Sequence, residues 1–251
     1  MLLVSLAGRS HALQPLVSDD TGTQGEGGKQ IEVAYIHTQA RDGGVMDHTH
    51  TMPFVLTYGM TDALDIAAGI SQQRINPHDG GDKDGIGNTI LGTKYRFYEN
   101  DVEKLSFAVK PEIILPVSRS DEARSLGSGK TSYALSLLAT RETGFGALIA
   151  TLAAYRINYR DPLLNAATRN NQYLASIAAL WKTGEQWQVG GEAGVYTQGN
   201  RALDSNSQFA QLAAIWSPNG DTDVALGIKR DFDTGSAVIW TTTLGVTYRF
   251  R

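Results

Sequence analysis

Cysteine is absent from the 251-residue chain, which excludes thiol catalysis, disulfide stapling and cysteine-ligated zinc. A surplus of positive charge is also missing: 22 Lys and Arg stand against 26 Asp and Glu, for a net charge of −4 at pH 7. Nucleic-acid binding, which depends on neutralising phosphates, is therefore not expected. Nor does the chain contain a run of about eighteen apolar residues, so it has no helix that could cross a membrane. That lack leaves strands untouched. A transmembrane strand needs only about ten residues with apolar side chains at alternate positions, and its other face can be polar.

Alternation of that kind runs through most of the chain. Period-two segments are predicted at 30–39, 48–58, 64–72, 86–97, 105–117, 132–140, 147–157, 172–181, 187–197, 208–216, 223–229 and 237–250. The clearest apolar faces are Met52/Phe54/Leu56/Tyr58, Phe107/Val109/Pro111/Ile113, Tyr173/Ala175/Ile177/Ala179/Trp181 and Val224/Leu226/Ile228, each opposed by small or polar residues. Aromatics gather toward strand ends, as at Tyr58, Tyr95, Phe97, Tyr133, Tyr155, Tyr173, Trp181, Trp187, Trp216, Tyr248 and Phe250. Interfacial girdles account for that placement, because Tyr and Trp suit the boundary between apolar and aqueous phases.

The connectors alternate in length. Short, turn-rich links at 59–63, 98–104, 141–144, 182–186 and 217–221 interleave with longer polar ones at 40–47, 74–85, 118–130, 159–170, 198–207 and 230–236. Together these features predict one antiparallel up-and-down transmembrane barrel of about twelve strands over residues 29–251. Its inner turns are short, its outer loops long, and both ends of the barrel lie on the short-turn side. Residues 1–12, MLLVSLAGRSHA, read as a signal-like segment, and residues 13–28 as an extended leader before the first strand. The last strand, with Tyr248 and Phe250 on its apolar face, has the form of the C-terminal signal that outer-membrane barrels present to the barrel assembly machinery. Here Arg251 follows the final aromatic.

Strand parity puts a set of ionisable residues on the face away from lipid: Glu32, Asp65, Lys94, Arg96, Lys110, Glu112, Arg156, Glu192, Lys229 and Arg249. At the bilayer midplane each Lys or Arg would cost about 2–4 kcal/mol, whereas in a lumen they stay hydrated or pair. They are expected either to line a pore and set its selectivity or to form a salt-bridge network that stiffens a closed, structural barrel. If the turn 98–104 centres on Asp101, partners sum to about 202–206, and Lys94 and Arg96 meet Lys110 and Glu112. Three cations and one carboxylate do not cancel. The expectation is a positive constriction favouring anions, unless Glu32, Glu192 or Asp65 reaches across.

Other candidates carry less chemistry. His37, His48 and His50 fall in the first hairpin, where they are weak candidates for a transition-metal site. Their parity matches the lipid-facing residues, so rim histidines without a metal are the expectation. Asp79, Asp82 and Asp84 precede Gly85 without the spacing or closing Glu of a calcium loop. Gly129-Lys130-Thr131 lacks the rest of a P-loop. Thr49 and Thr51 alternate with His48 and His50 and so point away from them, which removes the one local nucleophile–base pair. No enzyme activity and no cofactor are expected.

The stretches PLVSDDTGTQGEGGKQIEV from Pro15, YGMTDALDI from Tyr58, GIGNTILGTKYRFYE from Gly85, KPEIILPV from Lys110 and the closing TLGVTYRF are similar to the bacterial outer-membrane family named for the MetA pathway of phenol degradation, also described as transporters. The resemblance implies an outer-membrane β-barrel that admits small, often aromatic, compounds. Its partners would be small-molecule solutes and outer-membrane lipid.

Overall fold

The computed structural model describes residues 15–203 and 206–251; the signal-like segment lies outside them. Among the described residues the strands are β1 (Lys29–Asp42), β2 (Val45–Thr61), β3 (Leu64–Asn76), β4 (Lys83–Ile86), β5 (Ile90–Asn100), β6 (Leu105–Ile114), β7 (Ser132–Thr143), β8 (Gly146–Arg156), β9 (Asn171–Lys182), β10 (Trp187–Thr197), β11 (Asn206–Trp216), β12 (Thr222–Phe232) and β13 (Val238–Phe250). Every pairing is antiparallel; chain neighbours pair except around β4, and β1 pairs with both β2 and β13, which closes the ring. The short β4 and the longer β5 pair with successive parts of β3, at Gln72–Ile75 and Leu64–Gly69. They count as one interrupted stave, giving a closed barrel of twelve.

Why the wall forms is visible in the alternation of exposure. In β9 the residues Gln172, Leu174, Ser176, Ala178 and Leu180 are buried, while Tyr173, Ile177 and Trp181 face outward. Leu212, 73% exposed on β11, and Ile177, 62% exposed, belong to a belt of outward apolar side chains that water would penalise and hydrocarbon accommodates. Stacked pairs Trp187/Trp216, Phe145/Trp181 and Tyr248/Phe250 mark its inner rim. Because Leu212 lies opposite Ile228 in mid-strand, Leu212→Lys is expected to destabilise the bilayer-folded protein by about 2–4 kcal/mol. The measurement is denaturant titration in lipid vesicles; a loss under ~0.5 kcal/mol would contradict a lipid-facing β11.

Three sequence expectations need correction. The predicted long loop 40–47 is a two-residue hairpin: Gly43 and Gly44 have φ of 58° and 89°, the left-handed pair that a tight turn between twisted strands requires. β1 and β2 therefore run on beyond the lipid belt. Their outer ends carry Thr, Gln, His and Asp on both faces, so the alternation that marks a strand fades there. The predicted strand 86–97 is broken at residues 87–89, where Asn88 turns inward, donates to the carbonyls of Leu115 and Ser128 and accepts from the Ser128 amide. Tyr155, which the strand-end pattern places in the girdle, is buried in the interior.

Two short helices, α1 (Arg119–Ala123) and α2 (Pro162–Ala167), lie in the outer loops after β6 and β8, capped by Ser118 and Asp161. Buried Glu122 ties these loops together by accepting from the amides of Gly129 and Arg160. Burial, with the Glu122 charge second, pushes the nearby Tyr159 phenol up to about 12. Tyr159 thus stays neutral in the fold at pH values where an exposed tyrosine ionises, and its contribution to loop stability declines only above about pH 10.

Candidate functional site

The interior has two unlike halves. On the side of β7 to β12, small and apolar residues fill the space. Leu16 of the leader packs with Ile149, Ala178, Leu180, Ala213, Ile215 and Ala225, and Val17 lies against the cluster of Tyr155, Leu174, Tyr196 and Phe209. Glycines make room for this packing: a Cβ at Gly194 would collide with the Phe209 ring, and one at Gly190 with Leu180. On the side of β13, β1, β2, β3 and β5 the wall carries Thr, Gly and Ser, and the space stays open.

Residues 15–28 run through the lumen instead of lying before the barrel. The route is traced by hydrogen bonds to interior side chains. Gln211 donates to the Pro15 carbonyl. Glu192 accepts from the amides of Val17 and Ser18, at 2.6 and 2.8 Å, and from the Ser18 hydroxyl at 2.6 Å. The Thr21 amide donates to Thr140, and the Gln24 amide donates to Asp65. The Gly27 amide then donates to the Gly59 carbonyl, and the Gly59 amide to the Gly28 carbonyl, which delivers the chain into β1. An extended segment with few apolar residues suits this path, because its backbone donors are satisfied by carboxylates and hydroxyls that the barrel wall projects inward.

At the centre Asp19 bridges two lysines, with Lys94 Nζ at 2.8 Å and Lys110 Nζ at 2.9 Å from its two oxygens. Asp20 lies 3.8 Å from Lys94, and Glu112 lies 3.7 Å from Lys110. The expected positive constriction is therefore absent. Its counter-ion comes neither from Glu32 nor from across the lumen but from the leader. The sequence does hold a signal for it: Asp19 and Asp20 sit in a polar segment too long to be a simple link, and among the described residues Lys94 and Lys110 have only Glu112 between them as a wall carboxylate within salt-bridge distance. The predicted pairing of β5 with β6 agrees with the observed register, in which Gly92 opposes Glu112.

The leader divides the lumen. On its outer side lies a cavity of about 560 Å³, reached by Thr38, Thr49, Thr51 and Thr241, by Ile36, Val55, Ile90 and Ile239, and by Tyr155 and Tyr196. On its inner side lies one of about 440 Å³, at the mouth formed by the short turns. Asp20, Gly22 and Arg249 border both. Seven carboxylates and four cations line the outer cavity, a balance that disfavours anions.

The predicted lumen residues separate accordingly. Glu32, Asp65, Lys94, Lys110, Glu112, Lys229 and Arg249 line the outer cavity, and Glu192 is buried behind the leader. Lys229 pairs with Asp231 at 2.7 Å and lies over the Tyr196 and Phe209 rings. Arg249 pairs with Asp223 at 2.7 Å. Arg96 lies at the inner mouth, where it donates to the Asp62 carbonyl and meets Glu99 at 3.2 Å. Arg156 faces outward at the outer end of β8, donating to Asn171. In that strand Leu148, Ile149 and Leu152 are all apolar, which hides the parity that Tyr155 fixes. His37, His48 and His50 gather on the outer face of the first hairpin with ring planes 4–15° apart. Stacked rings present faces to one another, not converging lone pairs, so they do not form a three-ligand site as they stand.

The fold agrees with solved outer-membrane proteins. The COG4313 outer membrane channel from Pseudomonas putida F1 superposes with a TM-score of 0.72 at 14% identity, covering 92% of this chain and 98% of that one. The NanC porin superposes at 0.58 and 10% identity over 86% and 98%. The KdgM porin does so at 0.54 and 10% over 88% and 99%. No curated protein matches the chain. The barrel thus has the fold of these bacterial outer-membrane proteins. Residues 14–250 match the model of the family described as "Putative MetA-pathway of phenol degradation", and the chain belongs to that family.

Proposed function

We propose that the chain is a passive outer-membrane channel for small, uncharged or weakly charged solutes, aromatic ones included, and that the leader is the barrier such a solute must displace. The carrying observation is the outer cavity of about 560 Å³, which is of the size that holds a small ring compound. Its walls mix threonine hydroxyls with isoleucine, valine and tyrosine side chains, which suits a solute with an apolar body and one or two polar groups. The leader lies between this cavity and the inner mouth. It is held by side-chain contacts rather than by ladder pairing until Gly27, so it can leave without opening the wall.

This reading contains no catalytic step. Thr49 and Thr51 line the cavity while His48 and His50 lie on the other face of β2, so no nucleophile meets a base there. Delivery to the membrane would use β13, whose outward row Trp240, Leu244, Val246 and Tyr248 is the surface we assign to the assembly machinery.

The rival reading is a closed structural barrel, favoured by the packing of Leu16 and Val17 against the wall. Planar-bilayer recording joined to liposome swelling separates the two. A channel gives stepwise unitary currents and admits a small net-neutral aromatic that bilayers exclude, such as zwitterionic phenylalanine, faster than a disaccharide. A membrane that stays silent and liposomes that admit neither solute would overturn the proposal.

A further inference from the structure

The outer face of the barrel carries a second feature, independent of whether the lumen conducts. Cross-strand register sets Arg230 on β12 opposite Trp240 on β13, Trp240 opposite Gln39 on β1, and Gln39 opposite His48 on β2. One row nearer the hairpin tip, Val238 faces Arg41; one row below, His37 faces His50. Since all these residues share the outward parity, Arg41, Arg230 and the three histidines form one continuous patch. It lies directly above the lipid belt, whose next row down holds Leu226, Leu244, Tyr35 and Met52, each at least 42% exposed. That is the level at which lipid headgroups meet a barrel.

Charge in this patch is unopposed. Among the described residues Arg41 makes no salt bridge, and Arg230 is held only by the faces of Phe232 and Trp240, at 5.1 and 5.4 Å. Stacking of that kind orients a guanidinium while leaving its N–H fork free for an oxyanion. The neighbouring Arg74 is already neutralised by Asp82 at 2.6 Å. Asp47 is turned toward the outer cavity, and Asp233, at the edge, accepts from Gln208. His50 Nδ1 lies 2.6 Å from the Tyr35 hydroxyl, and His37 Nε2 3.1 Å from His48 Nδ1, so the imidazoles are held as a rigid polar surface.

We infer that this face binds the phosphate groups of an outer-leaflet lipid, with Arg41 and Arg230 as its two anchoring cations. The occupant is a lipid rather than a soluble anion because the patch is continuous with the apolar belt: acyl chains would lie on Leu226, Leu244 and Met52 while the phosphates meet the arginines. The conjunction of fixed cations with a membrane-facing apolar surface is what a phosphorylated lipid matches.

The test titrates the folded full chain in detergent with bis-phosphorylated lipid A and follows bound lipid by native mass spectrometry. Wild type is expected to bind it about tenfold or more tightly than R41Q/R230Q does, since each arginine near a lipid phosphate adds to the attraction. R156Q, which removes an outward arginine on the opposite side, is expected to bind as wild type. Dephosphorylated lipid A is expected to bind wild type about tenfold or more weakly than the phosphorylated form does, and this arm needs only the wild-type protein, so it decides the matter even if the variant fails to fold. Equal binding by R41Q/R230Q, or indifference to the phosphates, overturns the inference. Full competition by millimolar inorganic phosphate would also overturn it, by pointing to a soluble anion.

Discussion

Asp19→Asn is expected to turn a barrel with small currents into one that conducts several-fold more and prefers anions. Asp19 is the anion that both Lys94 and Lys110 touch, and all three side chains are no more than 16% exposed. Removing one partner of a buried ion pair costs about 3–5 kcal/mol, because the remaining charges stay desolvated and unpaired. The leader has no ladder pairing at that point, so it is the element that gives way. A loss of that size shifts its bound population by roughly a hundredfold or more. With the leader out, Lys94 and Lys110 face the lumen with only Glu112 close by, at 3.7 Å from Lys110. The reversal potential under a salt gradient is then expected to move toward that of chloride. Adding K94M and K110M to D19N removes the orphaned charges and should return the current toward wild type. A D19N protein that is folded, conducts like wild type and keeps its ion preference would contradict the role given to this bridge.

Gly59→Val should release the same segment by a different route. Gly59 faces inward on β2, and a Cβ there would overlap the backbone carbonyl of Gly25. Gly25 and Gly27 hold φ of 73° and 76°, so the tail of the leader is already committed to a left-handed conformation and has little freedom to yield locally. β2 is fixed by its ladders to β1 and β3. The overlap, worth about 1–3 kcal/mol or more as overpacking, therefore falls on the leader. The variant is expected to keep the heat-modifiable mobility of a closed barrel, to become sensitive to protease at residues 20–28, and to conduct as D19N does without the full shift toward anions, because Asp19 is still present. Gly144→Ala, where a Cβ meets nothing within 4 Å, serves as the neutral comparison. Protection of the leader equal to wild type in G59V would show that the contact bears no strain.

Much of the wall was legible from alternation because lipid imposes it: Phe54, Leu56 and Tyr58 point outward and Val55 and Thr57 inward whatever the rest of the chain does. The pairing of β5 with β6 followed from a turn centred near Asp101. Legibility failed where that constraint lapses. Above the belt, the polar residues of the first hairpin carry no outward and inward sense, and nothing in their pattern separates the Gly43–Gly44 turn from a loop. In β8 both faces are apolar because the inner one packs on the leader and its neighbours, so alternation alone puts Arg156 and Tyr155 on the opposite sides from those they occupy. The largest gap was the leader. Alternation describes a segment relative to its ladder, and residues 15–28 have no ladder until Gly27. Their position follows from long-range matches, Asp19 to Lys94 and Lys110 and the Val17 and Ser18 amides to Glu192, which local pattern does not encode.

The absence of native cysteine makes one measurement direct. The Ser18 and Ser176 hydroxyls lie 2.9 Å apart, close enough for S18C/S176C to form a single disulfide between leader and wall. Solute entry into liposomes carrying this variant, compared before and after reduction, tests whether the leader is the barrier. Slow entry of zwitterionic phenylalanine, which the bilayer itself excludes, while oxidised, rising to the wild-type rate on reduction, is the predicted result. Equal entry in the two states, with the disulfide confirmed by mass spectrometry, would contradict it.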